Sequence, residues 1–285
     1  RPPRRGSPHV IASLAEWWGE GRDLRSLALP PQFSQRGNHM GTSAPRRAPT
    51  TRWWRLAKGA ATRYLSPEGA GGVEVREVVA RYLAALEGSA AEGGKGALAA
   101  FRLTRKVAQD FGAFWAQAAS QGWEAALDAW GLPELKGQPP QIAVQGLSAA
   151  LAGPGGGLEE AVARAAVAVV CRQHLSSAGL SGPQTALSPW PEADRLVRQL
   201  LAAALSMRLV LDLGEPLEAA GRDFSHLQKG MKSLADWIDK AATDLPGLTP
   251  PEAEQWRGLT GWLWVTQVIE VLLENLSRHR NFGGY

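Results

Sequence analysis

From Val73 onward the apolar residues recur almost throughout at the spacing of an α-helix, and this periodicity restricts the fold more than any other feature of the chain. Val75, Val78, Val79, Tyr82, Leu83 and Leu86 stand at i, i+3, i+4, i+7, i+8 and i+11, which places them along one side of a helix. That helix is expected to stop near Gly88. A longer one follows from about Gly96 to Ala119, with Leu98, Phe101, Ala108, Phe111 and Trp115 inward, then a short segment, Trp123 to Trp130, closed by Gly131 and Pro133. Pro139-Pro140 opens a helix ending at Gly153. Leu158-Glu159-Glu160 sets two carboxylates in the first turn of the next, which runs to about Leu175. The stripe resumes at Leu196, Val197, Leu200, Leu201, Ala204 and Leu205 and reaches about Leu213, where Pro216 is expected to break it. Leu227, Met231, Leu234, Ile238, Ala241 and Leu245 form the cleanest single stripe, and Thr249-Pro250-Pro251-Glu252 has the form of a capping box opening a helix through Leu276. Alternating β-branched runs are nearly absent, and no fixed repeat of about 20 to 50 residues is visible. The expected fold is all-α, an irregular bundle of about seven helices over residues 73–285 preceded by a flexible basic arm.

A chain of 285 residues that is 45% apolar and 20% charged has the composition of a soluble globular protein of one or two domains. Its one cysteine, Cys171, excludes an intramolecular disulfide or a multi-thiolate zinc site and suits a reducing cytoplasm. The longest apolar stretches, Leu200 to Leu213 and Leu259 to Leu273, are interrupted by Arg208 and by Gln267 and Glu270. Both fall short of the roughly 18 uninterrupted apolar residues of a spanning helix, so no membrane partner is expected.

Charge is unevenly distributed. Residues 1–39 carry +3 and residues 40–72 carry +5, whereas the remainder carries −4. Basicity therefore belongs to the front of the chain, and only that part offers a polyanion general attraction. The first residue is Arg1 and the first methionine is Met40, and Gln35-Arg36-Gly37-Asn38 just before it is encodable by a purine-rich run like a bacterial ribosome-binding site. Translation is expected to start at Met40, with residues 1–39 an upstream or disordered extension and residues 40–72 a flexible basic arm.

Motifs that would carry catalysis fail on spacing. Gly93-Gly94-Lys95 has one residue too many after Gly88 for a phosphate loop, and Gly96 stands where a magnesium-binding Ser or Thr is needed. The Gly-Pro-Gly-Gly-Gly run at 153–157 lacks a following lysine and reads as a turn between helices. The five histidines, His9, His39, His174, His226 and His279, form no metal-binding pair. Cys171 and His174 share a helix face, but Cys171 follows the apolar run from Ala165 and reads as a small buried side chain rather than a nucleophile. No catalytic residue, metal or cofactor is expected. Trp53-Trp54, flanked by Arg52 and Arg55 in the basic arm, suit either stacking on a nucleotide or partner, or anchoring of the arm onto its own body.

Read from Met40, several short motifs point to a family. These are Met40-Gly41-Thr42-Ser43, Arg63-Tyr64 in a basic linker, the glycine-rich stretch leading to Phe101, Leu132-Pro133-Glu134-Leu135-Lys136-Gly137 with Pro139-Pro140, and above all Leu151-Ala152-Gly153-Pro154-Gly155-Gly156-Gly157-Leu158-Glu159-Glu160-Ala161-Val162-Ala163-Arg164. In these the chain resembles the QatB component of the Qat anti-phage defence system, a family with no assigned catalytic activity, over roughly Met40 to Leu276. The resemblance implies a non-enzymatic partner in an assembly with an ATPase, a protein similar to the deazapurine synthase QueC, and a TatD-like nuclease. It further implies that Gly41, after removal of Met40, is the amine acceptor for the QueC-like enzyme, with Met40, Gly41, Thr42 and Ser43 recognised by that partner. Many members continue with a further Gly-Pro-bearing stretch, whereas here Ala44-Pro45-Arg46-Arg47 follows. The arm from Gly41 to Gly72 spans at most about 100 Å when extended. The competing function is a nucleic-acid-binding helical module that uses Arg52, Trp53, Trp54 and Arg55 on a phosphate backbone. N-myristoylation is disfavoured by Pro45 at the position that needs Ser or Thr.

Overall fold

The structure is a computed structural model that describes residues 51–66, 73–91, 96–153, 156–177, 192–221 and 224–278. The described residues form ten α-helices and no strand, three helices more than the periodicity suggested: α1 Arg52–Leu65, α2 Val75–Ala91, α3 Ala97–Ala100, α4 Arg102–Gln121, α5 Trp123–Ala129, α6 Pro140–Ala152, α7 Leu158–Ser177, α8 Ala193–Ala220, α9 Phe224–Thr243 and α10 Leu259–Ser277, with short 3₁₀ turns at Pro133–Leu135 and Ala253–Gln255. The all-α expectation holds.

Helix α8 is the axis of the bundle. From Leu196 to Val210 only Gln199 and Arg208 are not buried, so this helix is apolar on nearly every side and needs neighbours all round. It finds them in α9, α7, α4, α1 and α10. Pro216 does not break it. The proline forfeits the bond that its N–H would have given to the carbonyl four residues back, but Leu213 and Leu217 on either side are fully buried and hold the backbone in register.

The expected single helix from Gly96 to Ala119 is interrupted at Phe101, whose φ of −113° and ψ of 26° lie outside the helical region. The interruption has a partner in space. Glu159 at the start of α7 accepts from the backbone N–H groups of Leu103, at 2.5 Å, and Thr104, at 3.3 Å. The first turn of α4 thus has its free donors satisfied by a carboxylate from another helix rather than by the carbonyls of α3. Replacing Glu159 with alanine is expected to cost about 1 kcal/mol, the value of a lost helix cap, read as a lowered urea midpoint; an unchanged midpoint would show that water serves those donors equally well.

The start of α10 also differs from expectation. Thr249-Pro250-Pro251-Glu252 does not cap a helix that runs to Leu276. Glu252 is itself the cap, exchanging bonds with Gln255 around the 3₁₀ turn, and the α-helix begins at Leu259. The delay lets the Trp256 side chain turn inward, where it is buried against Gly112 of α4. A second aromatic cluster ties α4 to α5, with the Phe114 ring edge-on to Trp123 at 5.3 Å and to Trp130 at 6.0 Å.

Candidate interaction face on the first helix

Residues 52–65, expected to belong to a flexible arm, form α1 instead. Thr51 caps it, its Oγ1 accepting from the N–H of Trp54 at 3.5 Å. Trp54, Ala57, Ala61 and Leu65 then recur at i, i+3, i+7 and i+11 and are all buried, and this stripe seats the helix against α2 and α8. The small alanines bring the backbones close, and the larger side chains lock the position.

Two anchors fix α1 at its ends. At the first turn the Trp54 ring stands edge-on to Tyr82 of α2 at 5.9 Å. The Tyr82 hydroxyl donates to Asp212 Oδ2 at 2.8 Å, and Arg208 Nε donates to the same oxygen at 2.9 Å. Burial pushes the Tyr82 pKa well above that of an ordinary phenol, and the neighbouring Asp212 charge raises it further. Burial also works against the Arg208 charge, but Asp212, with Tyr82 and Glu159 beyond it, outweighs burial and raises the guanidinium pKa. The tryptophan therefore rests on a tyrosine that is itself held by a half-buried ion pair. At the last turn Tyr64 donates to the carbonyl of Gly230 at 3.1 Å, and the Leu65 side chain fills the space that a Cβ on Gly230 of α9 would need.

The opposite side of α1 is exposed and basic. Arg52, Arg55, Leu56, Thr62 and Arg63 are exposed, and Trp53 retains 43% of its surface. The tryptophan pair is thus divided. Trp54 is an anchor with 5% of its surface accessible, whereas Trp53 lies at the edge of the exposed face, with Cγ, Cδ1 and Nε1 of its indole against the bare backbone of Gly88. Of the four residues expected to contact a nucleotide or partner, the structure places Arg52, Trp53 and Arg55 at the surface and Trp54 in the core. Met40, Gly41, Thr42 and Ser43 lie outside the described residues.

Cys171 and His174 do not make a nucleophile–base pair among the described residues. Cys171 is fully buried, and burial raises its thiol pKa far above the ordinary value; His174 Nε2 lies 2.8 Å from Gln199 Oε1. Among the described residues no group of three or more His, Cys, Asp or Glu is placed to hold a metal, and no helix is long and apolar enough to cross a membrane. A shallow cleft of about 190 Å³ between α4 and the turn before α10 is lined by Gln117, Ser120, Gln121, Glu254 and Arg257 with two alanines. It pairs no acid with a base.

The ends of the glycine-rich run connect two packed helices. Gly153, with φ of 77°, ends α6, and its carbonyl accepts from Arg164 of α7. On the far side the N–H of Gly157 donates to Glu160 at 2.9 Å. These contacts give the run a folding role, the turn between helices expected from its lack of a lysine.

The described residues thus form an all-α bundle built on a central apolar helix, with a basic face on α1. A family model described as the Qat anti-phage system associated protein QatB matches residues 93–247. The chain belongs to the QatB family and is a component of an anti-phage defence system, whose other components are its partners. No curated protein and no solved structure matches the chain. The matched segment runs from just before α3 through α9, so α1 and its basic face lie outside it.

Proposed function

We propose that this protein is a non-enzymatic member of the Qat assembly and that Gly41, exposed by removal of Met40, accepts a deazapurine from a QueC-like enzyme. The observation that supports this most directly is the Met40-Gly41-Thr42-Ser43 sequence in a chain of the QatB family. The chemistry suits a terminal amine. With a reference pKa of about 7.7 to 8.0, roughly one α-amine in ten is uncharged and nucleophilic at pH 7, against about one lysine in a few thousand. The amine nitrogen bonds to the carbonyl carbon of the ATP-activated carboxylate, the activating group leaves, and the nitrogen sheds one proton to give an amide. Glycine, lacking a Cβ, enters a narrow cleft without obstruction. The ATPase and the TatD-like nuclease are the further partners, and no cofactor resides in this chain. The protein acts in the cytoplasm, where ATP and the reduced state of Cys171 are maintained.

The seating of α1 shortens the leash. With Thr51 capping a helix that is seated on the body, the chain length from Gly41 to Thr51 limits the reach to at most about 35 Å, less than a count to Gly72 allows. The alternative nucleic-acid module has lost one stacking platform, since Trp54 is occupied by Tyr82.

Coexpression with the QueC-like enzyme followed by trypsin is expected to give a Gly41–Arg46 peptide carrying the deazapurine amide mass. Gly41→Leu, which retains the initiator methionine, is expected to abolish the adduct. An unmodified Gly41 peptide in the presence of active enzyme, ATP and deazapurine would refute the proposal.

A further inference from the structure

We infer that the exposed face of α1, formed by Arg52, Arg55, Leu56 and Arg63 with Trp53 at its edge, is the docking surface for the enzyme that modifies Gly41, and that this enzyme meets it with an acidic surface holding an apolar recess. The inference rests on the acceptor role of Gly41 and adds the surface through which the acceptor is presented.

Periodicity defines the face. Residues 52, 55, 56, 59 and 63 fall at i, i+3, i+4, i+7 and i+11, a single stripe turned away from buried Trp54, Ala57, Ala61 and Leu65. The Arg63 guanidinium lies over Gly59 at its middle, with Nη1 3.6 Å from where a Cβ would stand, an ordinary contact distance. Glu77 lies 3.8 Å from Arg63 and pairs more closely with Arg81, while Arg52 and Arg55 form no ion pair within 4.0 Å among the described residues. Two cations without a described counter-charge, beside an exposed leucine and a tryptophan, leave a surface both electrostatically and apolarly incomplete. Arg and Trp are the side chains that most often dominate protein interfaces.

Distance selects the occupant. Only nine residues separate Gly41 from Thr51, so any enzyme that holds Gly41 in its active site lies within about 35 Å of the first turn of α1. Docking on the adjoining helix makes entry of the terminus intramolecular, at an effective concentration of order millimolar. The Trp54 and Tyr64 anchors fix the face before the partner arrives, which lowers the ordering cost of binding. Protein is favoured over nucleic acid because Leu56 sits among the arginines, where it gives a phosphate backbone nothing. The Trp53 ring is also partly taken by Gly88, and the body behind it, residues 73–285, carries −4.

The test uses the full chain from Met40 and the purified QueC-like enzyme. Three proteins are compared by calorimetry and by conjugation kinetics: the natural sequence, Arg52→Glu/Arg55→Glu, and a variant lacking residues 40–50. The charge reversal is expected to weaken binding and raise KM at least tenfold, with kcat and the thermal midpoint unchanged, and adding salt is expected to weaken natural binding. The variant without the tail is expected to bind within about threefold of the natural chain while accepting no adduct. Unchanged binding and KM on charge reversal would overturn the docking face and leave the acceptor role standing. Docking without an adduct on Gly41 would overturn the acceptor role instead. Loss of binding to a single-stranded oligonucleotide or to a second copy of this chain, with enzyme binding intact, would assign the face to those occupants and overturn the inference.

Discussion

Replacing Trp256 with alanine is expected to lower the unfolding free energy by about 3–5 kcal/mol, the range for deletion of a buried aromatic side chain. Trp256 is 1% exposed, its ring stands edge-on to Trp264 at 5.2 Å, and its six-membered ring occupies the space where a Cβ on Gly112 would lie. Its backbone is held as firmly. Gln109 Nε2 donates to the carbonyls of Trp256 at 2.9 Å and Gly258 at 2.8 Å, so the loop that delivers the indole is itself tied to α4. The same geometry makes Gly112→Ala destabilising. Alanine gains about 1 kcal/mol in helix propensity over glycine, but overpacking against a ring with no free space costs about 1–3 kcal/mol. The two sites are therefore coupled. Trp256→Leu, which shortens the side chain, is expected to relieve the clash of Gly112→Ala, so that the double variant loses less stability than the two single losses together. Strictly additive losses in urea titrations would show that Gly112 is not the slot described.

Helical glycines of this kind explain where the sequence was readable and where it was not. Apolar stripes placed α2, α6, α7 and α9 close to their observed positions, because each buries one side and spacing alone reports that. Spacing does not report what a glycine faces. Gly88 was expected near the end of a helix, yet Gly88, Gly112 and Gly230 all lie within helices, and each is where a large side chain from elsewhere in the chain comes to rest. The helix α1 was hidden for a different reason. Its arginines suggested a solvated arm, although the signal was present in Thr51 as cap and in Trp54, Ala57, Ala61 and Leu65 at helical spacing. Alanine is too small to register as apolar patterning, and three of the helix's five buried positions are alanines. Pro216 misled because its local cost is fixed, whereas the burial of Leu213 and Leu217 that offsets it belongs to the tertiary structure. The expected contact residues divided in the same way. A sequence shows that two tryptophans are adjacent, but neighbours on a helix point about 100° apart, and only the packing of α2 decides which becomes the anchor.

Alkaline pH is expected to unfold the protein earlier than its lysine and arginine content alone would, and two buried groups should account for the difference. An exposed thiol loses its proton near pH 8.5 and an exposed phenol near pH 10. In the folded chain Cys171 and Tyr82 keep theirs, the first because burial disfavours the thiolate, the second because burial and then the Asp212 charge disfavour the phenolate. Both folded values lie above the unfolded ones, so the folded state binds more protons and stability falls as pH rises past each unfolded value. The loss begins at the lower pH for Cys171, whose exposed thiol is the stronger acid, and at the higher pH for Tyr82. Cys171→Ala is expected to remove the steeper part of this loss, beginning near pH 8.5. Tyr82→Phe is expected to remove only the part above pH 10, starting from a lower stability at pH 7 because Asp212 loses a donor. Urea midpoints of the natural chain and both variants between pH 7 and pH 11 measure this directly; three parallel curves would mean that neither proton is held by folding. Since Tyr82 also carries Trp54, its ionisation should release the first turn of α1 ahead of the rest, and a fluorotryptophan placed at position 54 alone should change its ¹⁹F resonance on the same limb. The first turn of the exposed face thus depends on the hydrogen bond between one buried phenol and one carboxylate, while the last turn keeps its own anchor on Gly230.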